Sequence, residues 1–191
     1  MEQKLYNKIL LNLLKGENHL RQMAKDLKLN HMTVKRALDY LVKENVLDVK
    51  EQGRNNVFSI KRTLEAKNFV LTAEIYKFNK FIKRHPELRQ DVIKLGKLPE
   101  RMIVIFGSYA KEAETKESDI DIYIETESNK AKQAAEKINR KFSVKIGAYD
   151  RNSILIKEIE KDHVIVKGFE KFYEQNKIFD KSEEGEKVKN S

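Results

Sequence analysis

The sequence predicts an α+β protein built in two parts, and three observations carry that prediction. Residues 4–61 read as three short amphipathic helices followed by a hairpin. Residues 101–124 hold two buried-strand patterns, the continuous run MIVIF and the alternating run IDIYI, separated by a loop that starts with glycine. Longer helical patterns lie between and after these segments, as expected for helices flanking a short mixed sheet.

In chain order, Leu5, Ile9, Leu10, Leu13 and Leu14 fall at helical spacing, and Lys15-Gly16 closes that helix. A second helix spans 20–27. Asn30 is placed to cap a third helix over 31–44, which buries Val34, Ala37, Leu38, Leu41 and Val42. Extended stretches at 46–50 and 57–61 flank EQGRNN, whose Gly and Asn residues tolerate the positive φ of a hairpin tip. A long helix over 63–84 and another from Pro86 to about Leu95 form a connector. The strands at 101–106 and 119–124 follow, then a helix at 131–140 and a third strand at 142–149. One or two closing helices are expected over 153–172, with Gly168 near a bend. The last segment, KSEEGEKVKNS, offers one apolar residue against many charges and is expected to be disordered. These elements suggest domains at 1–62 and 99–179, a helical connector at 63–98, and a tail at 180–191.

Composition narrows the classes. In 191 residues, 40% are hydrophobic and 36% charged, with a mean hydropathy of −0.67, which suits packed cores beneath a solvated surface. No apolar run approaches the roughly 20 residues of a membrane span, and the start MEQKLYNKIL is amphipathic, so the cytoplasm is the expected location and no membrane partner is expected. The absence of cysteine excludes thiolate metal sites, and the four histidines have no ligand spacing, so a metal would need oxygen ligands. A formal charge of +9 favours a polyanionic partner.

The order helix, helix, turn, helix, hairpin, with the phrase HMTVKRALDYLVKENVL, resembles a winged helix-turn-helix. That resemblance implies a third helix that enters the major groove of double-stranded DNA. On its outward face, Lys35 and Arg36 would engage phosphates or guanine edges, while His31, Thr33 and Tyr40 would offer hydrogen bonds. Arg54 at the hairpin tip would reach the backbone or minor groove. Residues 1–65 carry thirteen Lys and Arg against eight Asp and Glu, although Asp39 and Glu44 on the same helix would repel phosphate. The same fold also serves as a protein-interaction module, and that alternative stays open.

The second motif is GSYAKEAETKESDID. A Gly-Ser pair after a buried strand allows a tight turn whose N–H groups face phosphate oxygens, and the strand period puts Asp119 and Asp121 on one face. This pattern, Gly-Ser, ten residues, Asp, any residue, Asp, resembles the minimal nucleotidyltransferases of the DNA polymerase beta superfamily over about residues 99–168. The closing stretch LIKEIEKDHVIV is similar to the helix after the third strand in that family. The resemblance implies that Gly107 and Ser108 bind nucleotide phosphates, that Asp119 and Asp121 bind Mg²⁺ or Mn²⁺, and that Ser118 fixes their loop. Two positions depart from the family pattern. Glu112 stands where the family usually has Gly, and Lys145 stands where a third carboxylate is expected, with Asp150 as a possible substitute from the strand end.

Two functions follow. The chain is either a transferase that moves a nucleoside monophosphate from a triphosphate, with ATP the expected donor, to a hydroxyl on protein or nucleic acid, or a DNA-binding regulator in which the same fold is silent, sensing nucleotide or mediating assembly. Minimal relatives that modify a toxin suggest a toxin-like protein partner. The aromatic residues of the helix at 63–84 leave a homodimer open as a further option.

Overall fold

The computed structural model describes residues 2–53 and 55–180, so Arg54 and the segment 181–191 lie outside the described residues. The chain divides into two compact units, one running to Tyr76 and taking up the chain again from Lys177, the other Lys77–Asn176.

In the first unit, α1 (Glu2–Leu13), α2 (Leu20–Leu27) and α3 (His31–Lys43) form around Ile9, Leu10, Leu13, Met23, Val34, Leu38 and Leu41, all buried. The Asn30 side chain accepts the Met32 N–H at 2.8 Å, satisfying one of the N–H groups left open at the start of α3. The hairpin pairs β2 (Leu47–Gln52) with β3 (Asn55–Ile60) as far as Gln52 opposite Asn55, a tighter tip than the sequence suggests. Gly53 makes this possible, because at φ +63° it accepts the left-handed backbone of a two-residue hairpin loop. A two-residue strand, β1 (Asn18–His19), completes the sheet in the order β1-β3-β2; it is too short to leave a periodic signal in the sequence. This order of helices, hairpin and short extra strand is a winged helix-turn-helix arrangement. Thr63 then starts α4 (Leu64–Arg84), its hydroxyl accepting the Ala66 N–H at 3.2 Å and donating to the Asn45 carbonyl at 2.8 Å.

The second unit is a four-stranded mixed sheet in the order β6-β5-β4-β7. After a 3₁₀ turn at Pro86–Leu88 and α5 (Arg89–Gly96), β4 (Ile103–Phe106) runs antiparallel to β5 (Ile120–Glu125). The helix α7 (Asn129–Glu136), capped by the Ser128 hydroxyl, carries the chain across to β6 (Phe142–Gly147), which lies parallel to β5. One face of the sheet places Ile103, Ile105, Ile120, Ile122, Ile124 and Val144 in a core with Leu88, Val92 and Leu95. Burying each such side chain stabilises the fold by roughly 1.5–3 kcal/mol, so this layer outweighs any surface ion pair.

The closing region corrects the sequence expectation. Where the sequence predicts one or two helices over 153–172, α8 (Ile154–Lys161) gives way to β7 (Val164–Lys167), antiparallel to β4, and then to α9 (Phe169–Gln175). The run HVIV combines β-branched residues with an unpaired edge of β4, and pairing with that edge overrides the weak helical spacing. Gly168 marks the break, at φ +84°, with an added β-carbon placed 2.3 Å from the Arg101 carbonyl oxygen. Gly168→Ala is expected to destabilise the protein by about 2–4 kcal/mol from combined strain and overlap. Thermal or denaturant unfolding checks this, the expected outcome being a lower midpoint with the secondary structure retained.

Candidate functional site

The glycine turn and Asp121 meet because β4 and β5 are antiparallel neighbours whose last pair is Phe106 with Asp121. From Phe106 the chain enters one helical turn, α6 (Gly107–Ala110), through Gly107 at φ +68°. A β-carbon on Gly107 would stand 2.2 Å from Asp121 Oδ2, so the Asp121 carboxylate is seated directly against the backbone of the turn. Glycine is therefore required both by conformation and by approach. Asp119 lies exposed just before β5. Its loop is tied by Ser118, whose hydroxyl accepts the Thr115 N–H at 2.9 Å and lies 3.1 Å from the Thr115 hydroxyl. Ser108 is half-buried, and its carbonyl accepts the Ala113 N–H at 3.0 Å.

Behind the turn, Glu112 occupies the left-handed region at φ +56°, where a non-glycine residue costs roughly 1 kcal/mol or more. Two cations from α4 hold it there. Lys80 bonds its carboxylate at 2.6 Å, and Arg84 reaches the carboxylate at 2.8 Å and the backbone carbonyl at 3.2 Å. The Lys80 hydrogen bond, and then the charges of Lys80 and Arg84, keep the Glu112 carboxyl below its ordinary range. Arg84 also pairs with Glu114 at 2.8 Å. Tyr109 is buried beneath the turn against His85, their ring centroids 5.1 Å apart, and burial followed by the Glu114 and Glu87 charges raises its hydroxyl pKa.

The register of β5 with β6 settles what stands beside Asp121. Ser143 is its partner and Lys145 is the partner of Tyr123, one step further along the same face. The Ser143 hydroxyl donates to the Asp121 carboxylate, while Lys145 is exposed and contributes the weakest of the resolved influences on it. Lys145 thus does not fill the place of a metal with a salt bridge. Asp150 spends its carboxylate on the Asn152 N–H at 2.9 Å, capping its own turn.

One carboxylate at the site escapes the sequence reading. Glu158 of α8 acts electrostatically on Asp121 and pairs with Lys111, the residue after α6, at 2.7 Å. Its neighbour Glu160 turns instead to the Tyr149 hydroxyl at 3.0 Å and to Arg151 at 3.6 Å. Helical spacing alone does not say which of the two meets the site, because that depends on the sheet order. Burial first, together with the charges of Asp119 and Glu158, raises the Asp121 pKa above its ordinary value, against the Ser143 bond and Lys145.

Among the described residues, no group of three or more His, Cys, Asp or Glu is placed to hold a metal ion. Mg²⁺ asks for less, since it usually takes one or two carboxylates and completes its shell with phosphate oxygens and water, and Mn²⁺ favours the same ligands. A partly buried carboxylate strained by like charge has the donor chemistry such a cation relieves, so Asp119 and Asp121 fit it.

On the first unit, α3 presents His31, Thr33, Lys35, Arg36 and Tyr40 to solvent, with Asp39 among them. Tyr40 stacks on Tyr6 of α1 at 4.7 Å, so one face of its ring is already covered. Arg54 lies outside the described residues.

A family model for the nucleotidyltransferase domain matches residues 85–188. The chain belongs to the nucleotidyltransferase domain family. Membership assigns nucleotidyl-transfer chemistry to the chain at a general level, and nucleotidyltransferase domains generally use a nucleoside triphosphate with a divalent metal. Among solved structures, the adhesin competence repressor AdcR from Streptococcus pyogenes is 20% identical over 45% of this chain and 65% of its own, with a TM-score of 0.39. The chain thus spans slightly less than two thirds of that structure's length. No curated protein matches the chain. No helix among the described residues is long and apolar enough to cross a membrane.

Because its folded pKa is raised, ionised Asp121 costs stability once the pH exceeds that value, and this cost is absent below the unfolded pKa of about 3.9. Asp121→Asn is therefore expected to raise the melting temperature at pH 7 by about 2–4 °C and to give no gain near pH 3. Melting curves of both proteins across that range check the sign.

Proposed function

We propose that the chain is a DNA-directed nucleotidyltransferase, which moves a nucleoside monophosphate from a triphosphate, most simply ATP, to a hydroxyl on a protein or nucleic acid. The observation that carries this is the seating of Asp121 against Gly107, with Asp119 one strand step away. It supports a site in which a phosphate-binding turn and two metal-binding carboxylates act together. In this reading, the Gly107 and Ser108 N–H groups and the Ser108 hydroxyl receive the phosphates, Ser118 fixes the loop, and Asp119 and Asp121 hold Mg²⁺ or Mn²⁺. The bound cation supplies charge neutralisation at the transferring phosphoryl group. The exposed α3 face with Lys35 and Arg36 supports double-stranded DNA as the partner of the first unit, with His31, Thr33, Tyr40 and Arg54 as further contacts.

We place the DNA-reading part at 1–62, the connector at 63–98 and the transferase at 99–179, with 180–191 as a tail, all acting in the cytoplasm. A toxin-like protein is a suitable hydroxyl acceptor. Self-association of two copies is compatible with this assignment.

A second reading has one observation in its favour. On β6 the residue beside Asp121 is Ser143, and the position where the resemblance implies a carboxylate holds Lys145, so the strand offers no third carboxylate, which suits a regulator whose nucleotide site is silent. The two part on turnover. With α-labelled ATP, Mg²⁺ and either duplex DNA or candidate proteins as acceptor, the transferase yields labelled acceptor and pyrophosphate. Asp119→Ala with Asp121→Ala is expected to lower that rate about 10³-fold, equivalent to the several kcal/mol that metal coordination contributes. Retained DNA binding with no label on any acceptor would favour the silent regulator.

A further inference from the structure

The sheet order brings an ion pair to the edge of the nucleotide site that the site's own motif does not explain. Lys111 follows directly on α6, and its backbone N–H bonds the Gly107 carbonyl at 3.1 Å, so its position is fixed by the phosphate-binding turn itself. Glu158 comes from α8, which is anchored by buried Ile156 and Ile159 and by the Ser153 hydroxyl accepting the Ile156 N–H at 3.1 Å. The two side chains meet at 2.7 Å, with 41% and 43% of their surfaces still open to solvent. Both also sense Asp121: Glu158 adds to the negative charge around it, and Asp121, with Asp162, adds to the negative charge around Lys111. The arrangement is a cation paired with Glu158 directly after the turn, with Asp162 and Asp121 adding to the negative charge around it.

Such a half-exposed pair contributes little to folding, because water screens it and two long side chains must be held still. A triphosphate offers Lys111 several charged oxygens at once and a stronger, charge-assisted bond. Exchange of partners is then the favoured outcome when nucleotide arrives, and it leaves Glu158 unpaired beside the reacting centre.

We propose that Lys111 and Glu158 form a nucleotide-triggered switch, in which Lys111 leaves Glu158 for the phosphates and the released Glu158 serves as the third carboxylate that accepts the proton of the attacking hydroxyl. This rests on the nucleotidyl-transfer reading of the site. In the step itself, the acceptor oxygen forms a bond to the α-phosphorus and the bond from that phosphorus to the bridging α,β oxygen breaks. Pyrophosphate leaves with the bond electrons, and the hydroxyl proton passes to a Glu158 oxygen. Glu158 supplies from a helix the carboxylate that β6 lacks, since Ser143 and Lys145 occupy its face there.

The switch predicts effects of opposite sign from one substitution. Binding is measured by calorimetry on the full chain with Mg²⁺ and an ATP analogue carrying a methylene between the α and β phosphorus atoms, and turnover with ATP. Glu158→Gln is expected to tighten analogue binding about threefold to tenfold, by freeing Lys111 and removing a negative charge, while lowering kcat about a hundredfold or more and abolishing the acid limb of its pH profile. Lys111→Met is expected to weaken analogue binding about tenfold, and Glu158→Asp to recover part of the lost kcat. Circular dichroism confirms that each variant folds. A Glu158→Gln protein that binds the analogue no better than the parent, or that keeps its kcat, overturns the switch. If the parent binds the analogue with these signs but transfers nothing to any acceptor, the transfer reading fails and with it the proton-accepting role of Glu158. If the parent transfers and Glu158→Gln transfers equally well, the transfer reading stands and only the switch fails.

Discussion

The site depends on the close approach between the Gly107 backbone and the Asp121 carboxylate. It is set by the antiparallel pairing of Phe106 with Asp121 and by a backbone at φ +68° that only glycine adopts without strain. Everything else is arranged to keep that approach intact. The isoleucines of β4 and β5 hold the strands from the core side, and the Ser118 hydroxyl bonds shape the loop that delivers Asp119. Behind the turn, Glu112 sits in a conformation that side chains avoid, and Lys80 and Arg84 restrain it through three contacts on its carboxylate and carbonyl.

Charge at the site is left unbalanced on purpose of geometry: Asp121 is partly buried, and Asp119 and Glu158 both oppose its ionisation. A protein optimised for stability alone would avoid such an arrangement, and nucleotide sites commonly carry it because the ligand and its cation supply the missing positive charge. Lys111 is a cation already present and only lightly held, which links the Gly107 turn to α8. The wider basic surface, a net charge of +9, suits the polyanionic partners proposed for the chain.

Much of this was legible in the sequence because it rests on local rules. Asn30 and Thr63 read as helix starts, Gly53 permits the hairpin, and the alternation of IDIYI puts the isoleucines in the core and Asp121 on the other face. What escaped is non-local. β7 exists because β4 has an edge to fill, so HVIV became strand within a segment that had read as helix. Ser143 rather than Lys145 faces Asp121 because of a parallel register that no residue pattern announces, and Glu158 reaches the site only through the sheet order. The strained Glu112 was visible as a departure from the glycine pattern, but its restraint by Lys80 and Arg84 required knowing that α4 passes beside it.

In the proposed reading, Asp119 and Asp121, the latter set against the Gly107 turn, form a metal-dependent nucleotide site. Thermal unfolding of the full chain with Mg²⁺ alone, ATP alone and both together tests it most directly, since a ligand that binds the folded state raises its melting temperature by mass action. The expected rise with Mg²⁺ and ATP together exceeds the sum of the two separate effects and vanishes in Asp119→Ala with Asp121→Ala. An equal rise in that double variant, or no rise in the parent protein at saturating ligand, would contradict it.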